Sequence, residues 1–152
     1  MIQFEITIEI NRPVTEVFEY VANFENIPQW NYYVLRVHQI SAGTSAAGAL
    51  YHQTRRDDEQ RYQVTAHQPN QKIAIKTTPG SSPAFERVFT FEKTTTGTRI
   101  KDVWKLETGH NALLERLGAG KVKSAVADNL GKLKELLETG QTRLQDGRVS
   151  RL

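Results

Sequence analysis

From Gln3 to Ile10 polar and apolar residues alternate without a break, with Phe4, Ile6, Ile8 and Ile10 set against Gln3, Glu5, Thr7 and Glu9. A period of two predicts a strand with one face buried. After Asn11 and Arg12 the period lengthens. Pro13 is preset for the first turn of a helix, and Val14, Val17, Phe18 and Val21 follow at helical spacing. A second apolar turn starts near Asn23 and carries Phe24, Ile27 and Trp30. Pro28 would break a continuous helix, so two short helices at an angle are predicted after the first strand.

Four further strands are predicted over Asn31 to Ile40, Leu50 to Arg56, Arg61 to His67 and Lys72 to Thr78. Val37 and Ile40 are among the apolar positions of the first, and Ile73, Ile75 and Thr77 share a face of the last. The separators are turn sequences: the small-residue loop SAGTSAAG from Ser41, the charged turn at Asp57, Asp58 and Glu59, the turn at Gln68, Pro69 and Asn70, and PGSSP from Pro79 to Pro83. The next hairpin specifies its own register. With Phe91 opposite Ile100 across TTTG, Phe89 faces Asp102 and Arg87 faces Trp104 on one side. Glu92 then meets Arg99, and Glu86 meets Lys105, on the other.

From Ala112 to Glu138 the period is helical, with Val122, Val126, Asn129, Leu130, Leu133, Leu136 and Leu137 in one stripe and Gly140 where a helix commonly stops. Antiparallel strands with one polar face and a single long amphipathic helix imply a sheet that bends around the helix. One helix cannot fill such a sheet, so a cavity is expected between them, closed at one end by the two short helices.

Composition narrows the classes. The 152 residues suit one domain, 38% hydrophobic and 24% charged, and no apolar run approaches a membrane span. The first residues lack the features of a signal peptide, so a cytoplasmic protein is expected. With no cysteine, disulfides, thiolate metal sites and cysteine nucleophiles are excluded. The net charge of +3 sits mostly in QTRLQDGRVSRL, whose three arginines and one aspartate supply two of the three charges. Residues 141–152 are therefore read as a basic tail with a solvated end after a single domain over 1–140, and no nucleic-acid partner is expected.

INRPVTEVFEYVANFENIPQW, from Ile10 to Trp30, resembles the amino-terminal signature of the START-like (SRPBCC) superfamily in its polyketide cyclase/dehydrase branch. Pro13, Val17, Phe18, Tyr20, Val21, Pro28 and Trp30 carry the match. It continues through Gly48, the turn at Pro69, GTRI at Gly97 to Ile100 and the closing NLGKLKELLE, over about residues 3–138. The resemblance implies an α+β helix-grip fold: a curved antiparallel sheet of about seven strands wrapped around a long C-terminal helix. It also implies a deep cavity for lipids, polyketides, quinones or similar greasy molecules. The matching residues are scaffold, so they carry over an architecture and no catalytic motif.

Asp102 shares an inward strand face with Ile100, Trp104 and Leu106, where a carboxylate needs a partner, and Arg87 lies diagonally across the hairpin. The pair could orient a ligand oxygen, Asp102 could protonate an enolate, or the two could simply satisfy each other. Asn129, in the helix stripe, could meet a ligand or the sheet. Trp30, Tyr51, Tyr62, Phe89 and Trp104 are aromatic candidates for the pocket wall. In the strand from Leu50, either Tyr51, Gln53 and Arg55 or Leu50, His52 and Thr54 point inward, and the family pattern after Gly48 favours the tyrosine set. Asp102 and Tyr62 are the candidate proton-transfer groups if the protein is a cyclase or dehydratase rather than a binding protein. A third reading is an interaction module that uses the basic tail or the outer sheet face.

No metal or cofactor is expected. His38, His52, His67 and His110 lack metal-pair spacing, the acidic turn lacks a calcium-loop pattern, and GAGK at Gly118 is a fragment of a phosphate loop in the wrong context. Gly118 and Gly120 read as a hinge for a lid or as points of close helix approach.

Overall fold

Strand β1, Ile2–Ile10, buries its two ends and half-buries Phe4, Ile6 and Ile8, as the alternation dictates. The computed structural model in which it is seen describes residues 1–44, 46–107, 109 and 112–152, the side chains of 112–117 excepted. His110, and Ser45 of the small-residue loop, lie outside the described residues. The chain turns from β1 into helix α1, Val14–Ala22, with Pro13 one residue ahead of it at the N-cap, and then into a 3-10 helix, Phe24–Gln29, that accommodates Pro28. Val17, Phe18, Val21, Phe24 and Ile27 of these two elements enter the core.

Six strands follow: β2 (Val34–Gln39), β3 (Leu50–Arg55), β4 (Glu59–Gln68), β5 (Lys72–Thr77), β6 (Phe85–Lys93) and β7 (Thr98–Leu106). They form one seven-stranded antiparallel sheet in the order β1-β7-β6-β5-β4-β3-β2, so the first strand closes onto the last hairpin. In that hairpin Phe91 pairs Ile100, Phe89 pairs Asp102, Arg87 pairs Trp104, Glu92 pairs Arg99 and Glu86 pairs Lys105, the register the sequence predicts. The strand expected over Asn31 to Ile40 is shorter at both ends, and β4 begins at Glu59, within the expected charged turn. Ile40 is 46% exposed. β2 starts with a bulge between Val34 and Arg36 and turns Val37 inward, and Ile40 lies one residue beyond the end of the strand.

Helix α2, Ala112–Thr139, lies against the concave face. Leu130, Leu133, Leu136 and Leu137 of its stripe join the single core cluster, and the whole is an α+β helix-grip fold. The end of α2 is locked to the β1–α1 junction. Arg12 donates from Nε to the Leu137 carbonyl at 3.0 Å and from Nη2 to the Glu138 carbonyl at 2.7 Å, capping helix carbonyls with a cation. Gly140, at φ +88°, ends the helix and donates to the Leu136 carbonyl at 2.9 Å.

Residues 141–152, expected as a solvated basic end, form a hairpin of β8 (Gln141–Arg143) and β9 (Val149–Arg151). Burial of Leu144, Thr142 and Ser150 fixes it, Arg148 Nη2 donates to the Pro28 carbonyl at 3.1 Å, and Asp146 pairs with Arg56 at 3.4 Å. At Gly118 and Gly120 an added Cβ would meet nothing within 4 Å, so close approach to the sheet is not what these glycines serve.

Candidate functional site

The β6–β7 register sets Arg87 diagonal to Asp102 on the inner face, and the guanidinium spans the gap. Nε donates to Oδ1 at 2.9 Å and Nη2 to Oδ2 at 2.6 Å. Trp104 Nε1 donates to the same Oδ2 at 3.2 Å. Asp102 has no exposed surface, and these three bonds are what make burial of its charge tolerable. The Arg87 Cζ lies 4.4 Å from the ring centroids of Trp104 and of Phe89 and 5.8 Å from that of Trp30, so the cation is held between aromatic faces. Asp102 leaves Nη1 of this fixed guanidinium unused.

A second polar group comes from β3 and β4. The inward set of β3 is Tyr51, Gln53 and Arg55, and the alternation of β4 buries Gln60, Tyr62 and Val64. Tyr62 Oη donates to Gln53 Oε1 at 3.5 Å, Gln53 Nε2 to Gln60 Oε1 at 3.1 Å, and Gln60 Nε2 to the Pro83 carbonyl at 3.3 Å. Burial, with Tyr51 beside it and the opposing effect of Arg87 smaller, pushes the Tyr62 phenol well above its ordinary range, so it stays protonated. Asn129 supplies the third group from α2. It is 4% exposed, and its Oδ1 is buried without a hydrogen-bond partner among the described residues.

These groups surround a cavity of about 330 Å³ between the sheet and α2. Ile27, Val34, Ile75, Phe85, Val122 and Val126 form most of its apolar wall. Of the residues singled out in the sequence, Arg87, Trp104 and Asn129 are on the wall. Trp30, Tyr51, Tyr62, Phe89 and Asp102 are buried behind it: Tyr51 and Tyr62 stack at 5.7 Å, Phe24 packs edge-on against both, and Asp102 braces Arg87. Neither Asp102 nor Tyr62 is among the lining residues.

The wall also holds Gln53, Arg55, Gln60, Asn31, Tyr33 and Lys121. Gln53 and Arg55 share the parity of Tyr51, and Gln60 that of Tyr62, so strand alternation marks them as inward. Lys121, Ala125 and Asn129 recur every fourth residue along one line of α2. Among the described residues, no group of three His, Asp or Glu is arranged to hold a metal ion.

The family model for polyketide cyclase / dehydrase and lipid transport proteins matches residues 1–138, and the chain belongs to that family. No curated protein matches it. Among solved structures, it superposes on the Mesorhizobium loti protein MLL2253 with a TM-score of 0.69 at 17% identity, covering 89% of this chain and 96% of that one. DynU16, a putative protein in the dynemicin biosynthetic locus, gives 0.70 at 20% identity, over 92% of this chain and 48% of its own. StfQ, the di-domain ARO/CYC of the steffimycin biosynthetic pathway, gives 0.68 at 15% identity, over 88% and 49%. At these identities the likeness is one of fold. No described helix is long and apolar enough to cross a membrane.

Proposed function

We propose that the protein binds a small hydrophobic molecule, of the lipid, polyketide or quinone kind, in the cavity between the sheet and α2. The observation that carries this reading is the make-up of the wall: a mainly apolar surface enclosing about 330 Å³, with a few polar side chains braced from behind. That volume falls at the low end of ligand pockets, roughly 300–1,000 Å³, and the pattern of apolar lining with sparse polar groups is theirs. Burial of ligand surface at about 25 cal/mol per Å² supplies affinity, and Arg87 and Asn129 set orientation. Family membership supports the same reading, since the family's name includes lipid transport. The described wall carries no carboxylate or imidazole, which favours holding a ligand over moving a proton.

Native mass spectrometry of protein purified from its own host tests this. A small molecule is expected to accompany the wild type and to be lost from Ala125→Phe, which fills the cavity from the helix side while the fold is retained by circular dichroism. A wild type that is consistently empty and takes up no apolar probe would overturn it.

A further inference from the structure

The cavity wall has an electrostatic bias that apolar binding does not require. Its described lining contains three cationic side chains, Arg55, Arg87 and Lys121, and no acidic one. Arg87 is matched from behind by Asp102, and Arg55 is 3.2 Å from Asp58, a rim pair about one-third exposed on each side. Lys121 is exposed and has no ion-pair partner among the described residues. An ammonium with no ion-pair partner among the described residues therefore stands on the wall of a mainly apolar cavity.

The opposite end is polar in a different way. Lys121 and Asn129 lie on one line of α2, eight residues and about 12 Å apart. Lys121 is in solvent at its end. Asn129 is buried, and its Oδ1 has no donor among the described residues. A buried amide oxygen left unpaired is costly, so a ligand that donates to it gains more than an exposed hydrogen bond would give. Arg87, on the same wall, offers Nη1, which the pair with Asp102 does not use. A hydroxyl suits the two together, since it can donate to the Asn129 oxygen and accept from a guanidinium N–H.

Resting on the binding reading above, we propose that the ligand is a hydroxylated organic acid: an apolar body with a carboxylate at the Lys121 end of the cavity and a hydroxyl at the Asn129 end. Lys121 sets the preference for an anion, and the rim arginine Arg55 adds to the field. Asn129 selects the hydroxylated acid from its plain counterpart.

Titration calorimetry with three probes tests this: 6-hydroxy-2-naphthoic acid, its methyl ester, and 2-naphthoic acid. In the wild type the hydroxy acid is expected to bind about fivefold more tightly than the ester, the scale of one rim ion pair, and the gap should narrow as salt is raised. Lys121→Gln should remove that gap by weakening the acid while leaving the ester unchanged. Asn129→Leu should erase the preference for the hydroxy acid over 2-naphthoic acid and leave the acid-over-ester preference in place. Equal binding of acid and ester to the wild type, or equal weakening of both by Lys121→Gln, would overturn the anion assignment while leaving the binding function standing. Failure of all three probes to bind would overturn this inference, whereas the binding function itself stands or falls on the native mass measurement above.

Discussion

Asp102 is the side chain whose meaning changes most once its neighbours are known. As an inward carboxylate among apolar residues it is a candidate acid. With two bonds from Arg87, one from the Trp104 indole and no exposed surface, it instead fixes a cation and an aromatic that do reach the cavity. Removing one charge of a buried pair leaves the other uncompensated, so Asp102→Asn should cost about 3–5 kcal/mol in urea unfolding. Replacing both members with apolar residues of similar size, as in R87M/D102L, should cost much less. Equal losses in the two proteins would show that charge pairing is not what holds this part of the wall. Stacking of Tyr51 on Tyr62, and the raised pKa of the latter, belong to the same pattern of polar atoms consumed inside the core.

At the scale of elements, the decisive join is between the end of β1, the β6–β7 turn and the C-terminus of α2. Gly97 sits where a Cβ would lie 2.2 Å from the Ile10 carbonyl oxygen and 2.8 Å from the Arg12 nitrogen. Backbone cannot yield as a flexible side chain can, so Gly97→Ala should destabilise by about 1–3 kcal/mol, read as a lowered thermal midpoint. The same join holds Glu138, whose carboxylate accepts from the Asn11 backbone N–H at 2.7 Å and from Lys134 at 3.0 Å. The Asn11 bond, with Lys134 and Arg12 adding to it, keeps the Glu138 carboxyl below its ordinary value of 4.5. The unfolded chain therefore binds a proton more readily than the folded one in that range. The stability Glu138 contributes is complete above pH 4.5 and is lost as pH falls through the lowered folded value. Melting curves from pH 3 to 7 should show a shallower acid decline for Glu138→Gln than for the wild type, and parallel declines would refute the linkage.

For the whole molecule, the C-terminal hairpin is part of the fold. Leu144 is 2% exposed, and the hairpin ties Pro28 of the 3-10 helix and Arg56 beyond β3 to the end of α2. Leu144→Ala should cost about 2–5 kcal/mol, the range for a buried leucine, and deletion of residues 141–152 should cost at least as much. Chemical unfolding of both checks this, and an unchanged midpoint after the deletion would mean that the hairpin is not packed in solution. Its three apolar residues, Leu144, Val149 and Leu152, are spaced with no period of two or near four, so nothing in the sequence marks the segment as packed.

The sequence by itself determined the strands of the seven-stranded sheet, the helices and the pairing of β6 with β7, because each depends on a repeat of two or near four residues that is local and redundant. It also determined that Arg87, Asp102 and Asn129 face inward, since parity and helical phase decide that. Tertiary structure alone decided which inward residues meet open space and which meet one another. Tyr51, Tyr62 and Gln53 share one inner face, yet only Gln53 lines the cavity, because Phe24 from the 3-10 helix packs over both tyrosine rings. Likewise Lys121 joins the wall through the placement of α2 across the sheet, a distance between elements far apart in the chain that no periodicity encodes.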